Sequence, residues 1–279
     1  MSSIEPVAII RANENIEEVL SNGIDLLGGL GQISSPVLIK PNICTISDES
    51  GSSVTDVKVI EAIANHFFKQ DSSLCIRVVE SDSESKFAEE AYTKYGYNEL
   101  EKNFLKKGYD FCLTNLSKSS LKRSEFKGVY FIDPELPQEI LQESYFVSVA
   151  LAKTHHVTVL TGVLKNQFGL LPRKDQGFYH SHIDDVISDM NSIVRPKLSI
   201  IDARFGVKGW NGPKTKKIGA FILGKDPLSV DATLARIMGF EPEDVPHLMK
   251  AQGLGLGHLD PPILGTSIES VKVSFKSTK

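Results

Sequence analysis

Cysteine is scarce in these 279 residues: Cys44, Cys75 and Cys112 are odd in number, widely spaced and never part of a C-x-x-C pair. That pattern argues against a disulfide framework and for a reducing compartment. Neither a cysteine-ligated iron–sulfur cluster nor a structural zinc is expected from this chain, because such sites draw two ligands from one tight turn. A basic excess is missing too. The formal net charge of -4 speaks against a dedicated nucleic-acid binder. No apolar stretch is long enough to span a bilayer, and residues 1–6 lack the basic and apolar parts of a signal peptide. The expected location is therefore cytoplasmic, with no membrane partner. Familiar catalytic signatures are absent: no G-x-x-x-x-G-K-[ST], no G-x-G-x-x-G after the first strand, no G-x-S-x-G and no H-E-x-x-H.

What is present is an ordinary globular composition, 41% hydrophobic and 24% charged. Apolar runs at residues 7–12, 37–39, 76–79, 111–116, 129–132, 145–151, 197–203, 218–223 and 270–275 read as strands. Helical patterns fall between them, at 13–27, 57–69, 87–107 with a break near Gly96, 183–194, from Asp226 to Gly239, and 243–252. Strands alternating with helices imply an α/β fold, a largely parallel and doubly wound sheet. Two lobes around one cleft are expected, residues 1–144 and residues 145–279.

One stretch, residues 153–172, carries more polar chemistry than a fold requires. It reads K-T-H-H-V-T-V-L-T-G-V-L-K-N-Q-F-G-L-L-P. If residues 157–168 are helical, Thr161 and Lys165 lie one turn apart on one face, and Gly162 sits a turn below Asn166. A ligand could then approach the backbone closely at Gly162. His155 and His156 are adjacent in an extended segment, so at most one of them should face a common ligand.

Polar groups follow apolar runs at four places: Lys40 and Asn42; Lys153, His155 and His156; Asp202; and Lys225 and Asp226. In a parallel sheet these exits open on one edge, so the four clusters are expected to converge at one crevice. Lys40, Lys153 and Lys165 would make it positive and suited to a carboxylate or phosphate, with Asn42 and Asn166 orienting the ligand. His155 and His180 could transfer protons; alternatively, with Asp202, they could ligate a metal. Asp226 reads as a helix cap, and Asp231 as either a buried hydrogen-bonded carboxylate or a site residue. Residues 80–84, E-S-D-S-E, read as a capping cluster or a cleft wall.

The motifs L-I-K-P-N at 38–42, K-T-H at 153–155, T-G-V-L-K-N-Q-F-G at 161–169, I-I-D-A at 200–203 and G-K-D-P-L-S-V-D-A at 224–232 occur in one order along most of the chain. In this the sequence resembles the domain of unknown function 362 family. The resemblance implies no named reaction. Many members carry a ferredoxin-like module with cysteine-ligated clusters, and this chain lacks those cysteines. A redox role would therefore need a separate ferredoxin-type partner. The family is also distantly similar to the N-terminal part of nickel-pincer lactate racemases, enzymes with a cleft between α/β lobes, but no metal or cofactor residue can be carried over. The expectation is an enzyme acting on a small anionic compound, the alternative a non-catalytic metal- or cofactor-binding protein.

Overall fold

A computed structural model describes residues 4–276. The first half contributes β1 (Val7–Arg11), α1 (Ile16–Leu26), β2 (Val37–Pro41), α2 (Val57–Gln70), β3 (Cys75–Glu80), α3 (Ala88–Lys94), α4 (Tyr97–Lys106) and β4 (Asp110–Asn115). Then come β5 (Leu121–Arg123), β6 (Glu135–Pro137), α5 (Gln138–Leu141), β7 (Tyr145–His155), β8 (Val159–Thr161) and α6 (Val163–Asn166). The remainder is α7 (Ile183–Ile193), β9 (Leu198–Val207), β10 (Thr215–Gly224), α8 (Pro227–Ile237), α9 (Pro246–Gly253) and β11 (Ile263–Gly265).

The main sheet runs in the order β11-β1-β10-β9-β7-β2-β3-β4, with β8 folded back on β7. From β9 to β4 every neighbour is parallel. β10 is antiparallel to both β9 and β1. Alternation along the strands sorts side chains into two cores: Val7 and Ile9 face one with Ile183, Val186, Leu234 and Leu248, while Ala8 faces the other with Leu20, Ile60 and Phe67. Helices therefore cover both faces of a large, mostly parallel sheet. Strands from both sides of residue 144 join in it, since β7 pairs with β2 along five residues.

Three expectations about local structure need correction. Residues 157–168 are not one helix. The chain turns after His155, pairs β8 antiparallel with β7, and only then forms the single turn α6. The reversal places Val159 at φ 63, a left-handed conformation that costs a β-branched residue about 1–3 kcal/mol. Residues 129–132 form no strand; three of their backbone N–H groups donate to the Asp189 carboxylate instead. Residues 270–275 form none either, and the last strand among the described residues is β11, parallel to β1.

Candidate functional site

At the carboxyl ends of β2, β3 and β7 a cavity of about 280 Å³ opens. Proline at the end of β2 stops regular pairing, so Asn42 leaves the strand, and its N–H is taken by the Thr55 hydroxyl at 2.8 Å. Lys40, 1% exposed, is ion-paired to Glu80 at 2.6 Å and donates to the Pro41 carbonyl at 2.7 Å. Glu80, the last residue of β3, also faces Lys86 at 3.5 Å. Burial lowers Lys40 to about 8, opposed by Glu80.

Lys153 reaches the cavity from the end of β7 and is equally buried. Its ammonium donates to Asn42 Oδ1, to the Ser53 carbonyl at 3.2 Å and to Cys44 Sγ at 3.5 Å. The β7–β8 reversal sets Thr161 opposite Lys153, so both line the same wall. α6 then delivers Lys165 and Asn166. Lys165 makes no hydrogen bond or ion pair with the described residues; its ammonium lies 5.2 Å from the centre of the Phe168 ring. Burial, then Lys153, lowers it to about 8.

Asn166 donates one amide hydrogen to the Lys40 carbonyl and one to Ser148 Oγ, both at 3.1 Å, and accepts from Asn42 Nδ2 at 3.1 Å. Its donors are fully used. It links β2, β7 and α6, whereas Asn42 retains one amide hydrogen.

His155 accepts at Nδ1 from the backbone N–H groups of Val157, at 3.1 Å, and Thr158, at 3.3 Å. The ring proton must then sit on Nε2, and protonating Nδ1 would drive it against two donors. Burial, reinforced by Lys165, His156, His180 and Lys153, holds His155 far below the ordinary imidazole range. The same contacts oppose metal ligation through Nε2, which requires Nδ1 to donate. At most one of the adjacent histidines was expected to face the site, yet His156 stacks on His155 with centroids 4.7 Å apart and also lines the cavity. Strand alternation ends with β7 at His155, so it does not govern His156. His180 is exposed at the mouth and packs on Phe168; burial, then Lys165 and His156, lowers its pKa.

The expected four-way convergence is only half realised. Asp202 does not line the cavity: it lies well before the end of β9, paired with Arg204 at 2.7 Å, which in turn reaches Asp56. Lys225 and Asp226 leave β10 at the opposite edge, because β10 is antiparallel and Gly224 pairs with Ser199 at the start of β9. Lys225 donates to the Leu27 carbonyl, and Asp226 caps α8 by accepting from Leu228 and Ser229. Among the described residues no group of three His, Cys, Asp or Glu side chains is placed to hold a metal ion.

The Asp231 carboxylate occupies the space beside Gly162. No ligand space adjoins Gly162, where a Cβ would meet Asp231 Oδ1 at 2.1 Å. The Asp231 carboxylate, fully buried, accepts from Val163 N at 2.7 Å and Leu164 N at 2.9 Å. It holds the start of α6 and hence the bearing of Lys165. Burial pushes Asp231 up to about 7, against the pull of those two donors.

Glu80, Lys86, Cys44, Phe168, Gly169 and Trp210 also line the cavity and were not singled out as site residues. Residues 80–84 divide between the two readings: Glu80 is a cleft wall, whereas Asp82 accepts from Ala88 N at the start of α3. Gly169 leaves room for Lys40, whose Nζ would stand 3.0 Å from an added Cβ. A lysine and a glutamate each ending an apolar run was the available signal for the Lys40–Glu80 pair.

No helix of the described residues is long and apolar enough to cross a membrane. Among curated proteins, the thylakoid-associated protein sll1697 of Synechocystis sp. is 22% identical in an alignment of 253 positions that covers 84% of this chain and 73% of that protein. A family model described as Domain of unknown function (DUF362) matches residues 37–236, a span that contains every cavity residue discussed above. The chain therefore belongs to the DUF362 family.

Proposed function

We propose that the chain is an enzyme that binds a small carboxylated or phosphorylated compound in the cavity at the ends of β2, β3 and β7. The observation that carries this reading is the charge of the walls: Lys40, Lys86, Lys153 and Lys165 line one cavity against a single enclosed carboxylate, Glu80. Buried cations in such excess favour an anionic ligand, because an enclosed site strengthens attraction that water would weaken. Lys153 and Lys165 anchor the anion, and Asn42, Thr161 and the Nε2–H of His155 are donors near it. His180, less enclosed than His155 and kept neutral by partial burial and then by Lys165 and His156, is the better acid/base candidate at neutral pH. Its position at the mouth supports proton exchange with solvent.

The three unpaired cysteines support a reducing, cytoplasmic setting. A redox variant of the reaction would draw its electrons from a separate ferredoxin-type protein.

The test is a thermal-shift screen of carboxylated and phosphorylated metabolites on wild type and Lys165→Ala. A compound that raises the wild-type melting temperature by a few degrees and leaves the variant unmoved supports the anion site. Equal shifts in both proteins, or none in either, remove it.

A further inference from the structure

The cations of the cavity fall into two classes. Lys40 and Lys86 share the Glu80 carboxylate, at 2.6 and 3.5 Å, and each also donates to a backbone carbonyl. Lys153 is as deeply buried but meets no carboxylate, only the Asn42 amide oxygen, the Ser53 carbonyl and the Cys44 sulfur. Lys165 meets no acceptor at all among the described residues. No other carboxylate is enclosed in the cavity. His155, His156 and His180 are neutral or cationic, and Glu84 is exposed at the mouth beside Asp175. Enclosed charges are ordinarily paired, because desolvation without a counterion is expensive. Two ammonium groups lining one cavity without a carboxylate are an arrangement completed from outside the protein.

We propose that the bound group is a dianionic head, a phosphoryl group or two neighbouring carboxylates, that bridges the ammonium groups of Lys153 and Lys165. This deepens the anion-site reading and rests on it. A single carboxylate would leave one ammonium without a counter-charge, so it binds more weakly for the same contacts. Burial, then Lys153, lowers the pKa of Lys165, and a dianion between the two ammonium groups opposes both effects. Binding near pH 8 therefore takes up protons.

The experiment is isothermal titration of the wild-type chain at pH 8, in two buffers of different ionisation enthalpy, with inorganic phosphate, malonate and acetate as probes. Expected is about tenfold or tighter binding of phosphate or malonate than of acetate, with net proton uptake. Phosphate ahead of malonate identifies a phosphoryl head, and the reverse order a dicarboxylate. Lys165→Met should bring the dianion down to the affinity of acetate and abolish the uptake. Acetate binding as tightly as both dianions, without uptake, overturns the dianionic head and leaves the anion site standing. If none of the three probes binds, both fall. The probe series needs only wild-type protein, so poor folding of the variant leaves the proposal testable.

Discussion

The strands on either side of β9 end in similar residues and use them differently. On the parallel side, Lys40, Asn42, Glu80 and Lys153 arrive at one edge and line a cavity. On the antiparallel side, Lys225 and Asp226 follow β10 away from it, to a backbone carbonyl and a helix cap. Strand direction, not residue type, separates a site from a cap. The antiparallel side still reaches the site through α8, which carries two carboxylates five residues apart. Asp226 satisfies the first turn of its own helix and the His258 N–H, whereas Asp231 satisfies the first turn of α6, across the core.

Replacing these two carboxylates tests the comparison most strongly. Asp231→Ala should cost about 3 kcal/mol of stability, since it leaves two buried N–H groups without an acceptor. Asp226→Ala should cost about 2 kcal/mol, the upper end for a helix cap, because its carboxylate also accepts from His258 N. Urea unfolding of both variants decides whether this order holds; equal losses would erase the distinction.

The Asp231 carboxyl also sharpens the contrast through pH. Its folded pKa, about 7, lies above the ordinary carboxylate value of about 3.9. Between those values the folded state binds more protons than the unfolded one, so the contribution is greatest at the acid end and is lost as pH rises through about 7. Asn cannot ionise. Wild type should therefore lose stability relative to Asp231→Asn from about pH 4 to about pH 7, measured as the difference between the two unfolding curves. The opposite slope would mean that the two backbone donors keep Asp231 ionised.

The smallest effect is expected at the far edge. Lys225→Ala should leave the affinity for inorganic phosphate unchanged within error, because the Lys225 side chain contacts the Leu27 carbonyl and does not line the cavity. A loss comparable to that of Lys165→Ala would show that the two edges are not separate.

Much of the fold was legible in the sequence because it rests on local patterns. The buried runs of β2, β7, β9 and β10 are apolar on both faces, and the Asp226–Pro227 start of α8 is a cap followed by proline at the first helical position. Of the site, the 153–172 stretch stood out, and Lys40, Asn42, Lys153, Thr161, Lys165 and Asn166 do meet. The helix expected over residues 157–168 failed because β8 gains its pairing from β7, a contact that periodicity within the segment does not report. His156 was misplaced for a related reason: the alternation rule was carried one residue past the end of the strand. Lys86 was missed, and Glu80 was left between a cap and a cleft wall, because what distinguishes them is that Glu80 pairs with both Lys86 and, across 40 residues, Lys40.

By itself the sequence determined the α/β class, the order of most elements and the concentration of cationic and amide side chains near two strand ends. Those follow from hydrophobic period, capping residues and proline, all properties of neighbouring residues. Only the tertiary structure decided that β10 runs against β9, which removed Asp226 and Lys225 from the site, and that Asp231 fills the space at Gly162. It alone decided which lysines have a carboxylate. Strand direction and charge pairing are set by contacts between distant segments, and no local pattern encodes them.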